Sequence, residues 1–364
     1  MKKSIFMVAL AALAMTSCSQ DEVLEVKKDV MSFSAFTENA SRATATTATT
    51  LGNFVVYANE NDGDDSTTDL PYITGVEASK TFNTGGNGAF KLKETYYWPI
   101  KALDFYCIAP ASEGVIDAIT PANNIPAIST YTVRSAHTED LLYSVATGLK
   151  RGEGNVGTDG VAHLNFRHAL AMVQFKFASA SAYDLDVTVS KIKLVNVAQT
   201  GAYALPSVAT LAAAFETANT HGDWTIAEGA YVEEYAWEES HTATVATAST
   251  AGTTYFVLPQ TVTAATPADV AEGATWEGAF FEISCVLKKD NVTVYTGEVA
   301  IPVAATSYTW EEGHKYVYTF TFGQGGGYYP GSNDPAIVPI SFDITVDEMQ
   351  PASPSVPVQV VPAV

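Results

Sequence analysis

The side chains best able to do chemistry are six histidines, three cysteines and two acidic stretches. In "VAHLNFRHAL" the odd separation of His163 and His168 sends them to opposite faces of a strand, so a shared metal is not expected. No G-x-S-x-G elbow, H-E-x-x-H zinc pair, C-x-x-C pair or P-loop occurs. The chain is therefore read as a non-enzyme with no cofactor or bound metal, its histidines being surface or hydrogen-bonded groups. Calcium favours several oxygen ligands on a flexible loop, which "NENDGDDSTTD" supplies. Counting back from Gly63, however, puts Ala58 and Glu60 where the hand-type loop needs its first and third ligands, so a solvated hairpin tip is the better reading. "EGAYVEEYAWEESH" sets Tyr231, Tyr235 and Trp237 among acids; these rings either fill a β-sandwich core or stack on sugars. One more stretch has chemistry done to it. "NASRATATTATT" isolates Arg42 in a run of small residues, an extended substrate for a protease.

The elements that must position these residues are strands. "AMVQFKF" puts Ala171, Val173, Phe175 and Phe177 on one face, and "HKYVYTFTF" does the same with Tyr316, Tyr318, Phe320 and Phe322. Similar alternation recurs over 53–58, 103–109, 141–145, 186–197, 255–258, 280–287, 292–301 and 337–346. Strands with one apolar face need a second sheet over them, which predicts an all-β chain of packed sandwiches. Little helix is expected; "SVATLAAAFETAN" is the best segment, with Ser207 as N-cap and Val208, Leu211 and Phe215 at helical spacing. The Gly-rich polar stretch 151–160 is taken as the junction between an N-terminal domain, 18–158, and a C-terminal domain, 159–346. In the first of these, a strand over about 29–39, with Met31, Phe33 and Ala35 on one face, precedes a loop over about 40–52. A Pro-rich tail, 347–364, follows the second.

With 19 Lys and Arg against 40 Asp and Glu, the net charge is -21, which argues against nucleic acid as a partner. Lys2 and Lys3 precede a short apolar run, Ile5 to Met15, too short to span hydrocarbon as a helix and therefore an export signal over 1–17. "MTSC" makes this segment resemble a bacterial lipoprotein signal, with Cys18 as the lipidated residue, and "SQDE" after it resembles a surface-export tag. Cys107 shares the face of Leu103 and Phe105, and Cys285 that of Phe281 and Ile283, so both read as small core residues. Whether they pair is open from sequence.

"DLLYSVATG", "VAHLNFRHALAMVQFKF", "YFVLPQT", "GHKYVYTFTFG" and "ISFDITVDEMQ" occur in an order that resembles the fimbrillin family of Bacteroidetes, the Mfa-like pilins. The resemblance implies two tandem transthyretin-like Greek-key β-sandwich domains. It also implies a surface lipoprotein held in the outer membrane by its lipid (palmitate included) before processing, and a structural pilus subunit or adhesin afterwards. A trypsin-like or arginine-specific protease would cut after Arg42, the first strand would leave, and a strand from another pilin subunit would fill the groove. The donor comes either from Val338, Ile340, Phe342, Ile344 and Val346, which share one face, or from Val356, Val358 and Val360 in the tail. The segment 337–346 serves equally well as the last strand of its own domain. Pro351, Pro354, Pro357 and Pro362 each remove a ladder donor and restrict the tail to short or edge pairing. The alternative function is a monomeric surface glycan-binding lipoprotein. A host or bacterial surface ligand is not identifiable from the residues.

Overall fold

The structure is a computed structural model that describes residues 30–37, 50–61, 70–82, 89–133, 139–153, 156–206, 221–226, 231–232, 235–237, 241–244, 249, 254–272 and 274–348. The expected all-β class holds. Among the described residues, helix is limited to one turn at Glu113–Ile116 and a 3-10 turn at Lys80–Phe82. The helix sought after Ser207, with Val208, Leu211 and Phe215, lies outside the described residues, as does most of the acidic loop, 62–69.

Eight strands organise the first half: β1 (Ser32–Thr37), β2 (Phe54–Asn61), β3 (Pro71–Ser79), β4 (Phe90–Leu92), β5 (Ala102–Ala109), β6 (Ala127–Thr132), β7 (Leu142–Leu149) and β8 (Val161–His168). Seven of them close on themselves in the order β1-β4-β3-β2-β5-β7-β8, with β8 returning to β1. Alternation explains which face is inside. Phe33, Phe54, Phe90, Phe105, Cys107, Leu164 and Phe166 meet in one buried cluster, and the intervening residues point away from it.

The Gly-rich stretch 151–160 lies between β7 and β8. It turns β7 into β8, which pair antiparallel at Leu142↔His168 and Tyr143↔Arg167 inside the same barrel. Gly152 and Gly160 hold φ of +78° and +74° in that turn, a conformation with little steric cost only for glycine. The chain changes sheet about ten residues later, at Ala169 and Leu170, before the strand Ala171–Ser179.

The second half is built as two leaves. One holds Asp186–Val195, Phe280–Lys289 and Val292–Pro302; the other holds Ala171–Ser179, Thr254–Val257, His314–Tyr328 and Pro335–Glu348. A single register pair, Ala300↔Tyr328, joins them at a corner. Between the leaves Phe281 meets Phe175, Tyr318 and Phe320 with ring centroids 5.8, 4.9 and 5.4 Å apart, all edge to face. The two halves are tied together by β6, which pairs with Thr200–Ala204, and by an apolar cluster that runs from Ile108, Tyr143 and Val145 on the outside of the barrel to Tyr203, Phe256 and Trp310.

Cys107 lies in the barrel core and Cys285 in the sandwich core; both are buried free thiols, so they do not pair. Burial raises both thiols out of their normal titration range, Cys285 to about 12.

Candidate functional site

The first strand is held unequally on its two sides. On one side β1 runs parallel to β8 in an unbroken register from Ser32↔Val161 to Thr37↔Phe166. On the other it meets β4 at two positions only, Ser32↔Lys91 and Phe33↔Phe90. Parallel pairing is slightly the weaker kind per residue, and the antiparallel edge is short, so the side chains carry much of the hold. Met31 and Phe33 are 1% and 0% exposed, while Ala35 is half-buried against the same core. The Phe33 ring sits edge-on to Phe54 at 6.0 Å and to Phe105 at 5.7 Å, in the middle of the barrel. These are the three residues that alternation assigned to the inner face of this strand.

The start of β1 is clamped by "YYW", 96–98. Met31 N–H donates to the Tyr96 carbonyl at 2.8 Å, Val30 bridges Tyr97, and Trp98 Nε1 donates to the Gly160 carbonyl at 2.8 Å. Sequence reasoning missed this clamp. Its signal was the aromatic density ahead of Pro99, a residue that cannot continue a central ladder. Removing β1 would open the barrel between β4 and β8, leaving two unpaired edges and the hollow that Met31 and Phe33 now fill. Arg42 and Cys18 lie outside the described residues, as does most of the segment linking β1 to β2.

The donor candidates divide. Pro335–Glu348 pairs antiparallel with His314–Tyr328 from His314↔Glu348 to Phe322↔Ile340 and is here the last strand of its own sheet. Within it Ile340 is buried, Ile344 packs half-buried against the core, and Val346 is 46% exposed. Val338 and Phe342 are placed by backbone only. Val356, Val358 and Val360 lie outside the described residues. Tyr235 and Trp237 occupy an edge strand against Leu194 and Ile192, and Tyr231 pairs with Ala198; the outward or inward aim of their rings is likewise outside the description.

His163 and His168 fall on opposite faces of β8, as their spacing required. His168 is buried, with Nδ1 at 2.9 and 3.0 Å from the two carboxylate oxygens of Asp140. Among the described residues, no three His, Cys, Asp or Glu side chains are grouped to hold a metal ion. Nor is any helix among them long and apolar enough to cross a membrane.

A second buried polar cluster, unforeseen from sequence, lies between the halves. Glu312 accepts hydrogen bonds from Tyr203 Oη at 3.3 Å and Gly222 N–H at 3.5 Å, and Tyr143 also bonds to it. Desolvation dominates its titration and pushes the carboxyl up to about 8, although the tyrosine and glycine donors and the Arg167 charge all favour ionisation. The unfolded chain ionises this group near its ordinary value, so between about pH 4.5 and 8 folding takes up a proton here. Its stabilising contribution is complete below that window and is lost as pH rises through it. Replacing Glu312→Gln is expected to flatten this decline, by up to about 1.4 kcal/mol per pH unit, in urea titrations at pH 5, 6.5 and 8. Parallel wild-type and variant curves would show that Glu312 stays ionised.

The chain resembles known structures over most of its length. A fimbrial protein from Bacteroides vulgatus matches with a TM-score of 0.55 at 15% identity, covering 88% of this chain and 99% of that one. A candidate cell adhesion protein from Bacteroides uniformis matches at 0.45 and 18% identity, over 88% and 100%. The tip fimbrial protein Mfa3 from Porphyromonas gingivalis, with a C-terminal truncation, matches at 0.35 and 11% identity, over 81% and 93%. Comparison with curated proteins finds no match. The fimbrillin-like family model matches residues 41–346, from the region of Arg42 to the last strand, and the chain belongs to that family.

Proposed function

We propose that the chain is a structural subunit or adhesin of a surface fimbria, and that the groove under β1 is its assembly site. It is exported as a lipoprotein through Cys18 and anchored in the outer membrane, then cut after Arg42 by a trypsin-like or arginine-specific protease. The freed first strand leaves, and a strand from another pilin subunit takes its place. The observation that carries this reading is the seating of β1: it buries Met31 and Phe33 completely, yet pairs with only two residues of β4. Burying two such side chains contributes roughly 1.5 to 3 kcal/mol each, so an empty groove is a strong acceptor for a strand of the same pattern. A head-to-tail contact of this kind does not close and extends into a fibre. The donor is Pro335–Glu348, released from its edge position, or the tail carrying Val356, Val358 and Val360. Electron microscopy of the protease-treated chain tests the reading. Fibres are expected; monomers that persist after complete cutting at Arg42 would overturn it.

A further inference from the structure

The strand that borders the same groove, β8, carries on its outer face a buried polar group without a hydrogen-bond partner among the described residues. On β8, Ala162, Leu164 and Phe166 point into the barrel core, so His163, Asn165 and Arg167 share the opposite face. Asn165 is 2% exposed, and neither its Nδ2 nor its Oδ1 has a hydrogen-bond partner among the described residues. A carboxamide offers two donors and an acceptor, and burying it unpaired is unfavourable. The residue beside it in the β1 register is Phe36, whose side chain has no hydrogen-bonding group.

We propose that Asn165 selects the strand that replaces β1, by hydrogen-bonding a polar side chain at the position Phe36 now holds. This rests on the strand-exchange reading above and names the chemistry of the partner. Both donor segments meet the requirement. Seating Val338, Ile340, Phe342, Ile344 and Val346 inward turns Ser341, Asp343 and Thr345 to the face of Asn165 in any register. Seating Val356, Val358 and Val360 inward does the same for Ser355 and Gln359. The resident strand is thus mismatched at one point where the incoming strand is matched. Exchange gains a hydrogen bond there.

The test uses the full chain cut by an arginine-specific protease, together with fluorescent peptides of residues 336–347. One peptide is native; the other carries Ala in place of Ser341, Asp343 and Thr345. Cut wild-type chain is expected to bind the native peptide about tenfold more tightly. The variant Asn165→Leu is expected to bind both peptides equally. Uncut, that variant should melt a few degrees above wild type, because an unpaired buried amide has become apolar. Equal binding of both peptides by wild type would overturn the inference alone, as would a lowered melting temperature for uncut Asn165→Leu. Failure of both peptides to bind the cut wild-type chain would overturn the exchange reading and the inference with it.

Discussion

Treated with an arginine-specific protease, the wild-type chain is expected to lose its first strand and form a ladder of oligomers, while Arg42→Ala stays an intact monomer. The expected contrast is large because two of the other three arginines are poor competitors. The chain has only Arg42, Arg134, Arg151 and Arg167. Arg167 is fully buried. Arg151 sits in the connection between β7 and β8 and donates to the Thr158 carbonyl at 2.9 Å, which holds it in a turn. A protease needs several residues extended through its active site, which a turn of this kind does not offer. Arg42 is flanked by Ala, Ser and Thr in a segment of low apolar content. The readout is a denaturing gel with N-terminal sequencing of the cut product, which should begin at Ala43. Oligomer ladders from Arg42→Ala would move the cut to Arg134. Monomers from cut wild type that are retained on a polysaccharide column would favour the glycan-binding alternative.

The second large effect separates the role of the first strand before and after cutting. Phe33 is fully buried and touches Phe54 and Phe105 at the barrel centre. Phe33→Ala in the uncut chain should therefore cost about 3 to 5 kcal/mol, the usual range for deleting a core phenyl ring, and lower the urea midpoint with little change in slope. After cutting and assembly the strand that carries position 33 is gone. The polymer formed by Phe33→Ala should then match the wild-type polymer in thermal stability. A polymer weakened to the same extent as the monomer would mean that β1 remains in the groove, and strand replacement would be ruled out. The contrast between the two states matters more than either value, since a core substitution destabilises any monomer.

Much of this could be read from residue types. The period-two runs at 53–58, 103–109, 171–177 and 315–322 correspond to strands, and Met31 and Phe33 are buried on the face that alternation assigned to them. Cys107 and Cys285 are core residues, as their neighbours at every second position indicated. These features are local: alternation needs only a chain whose successive side chains point to opposite sides. The stretch 151–160 is ambiguous in sequence for the complementary reason. Glycines and polar residues serve equally well for a hairpin turn and for a linker, and only the pairing of Tyr143 with Arg167 distinguishes the two. The segment 335–348 has the pattern of a donor and of a resident strand alike, and its long register against 314–328 gives it the second role in this structure.

The sequence by itself determined the all-β class, the inward face of several strands and the isolation of Arg42 among small residues, because each of these depends on neighbours along the chain. Only the tertiary structure decided that β8 closes the barrel against β1, that the cysteines sit in separate cores, and that Asn165 and Glu312 are buried. Those outcomes depend on which strands, more than a hundred residues apart, come to lie side by side. Nothing in a residue's local spacing encodes its distant partner or the water that partner excludes.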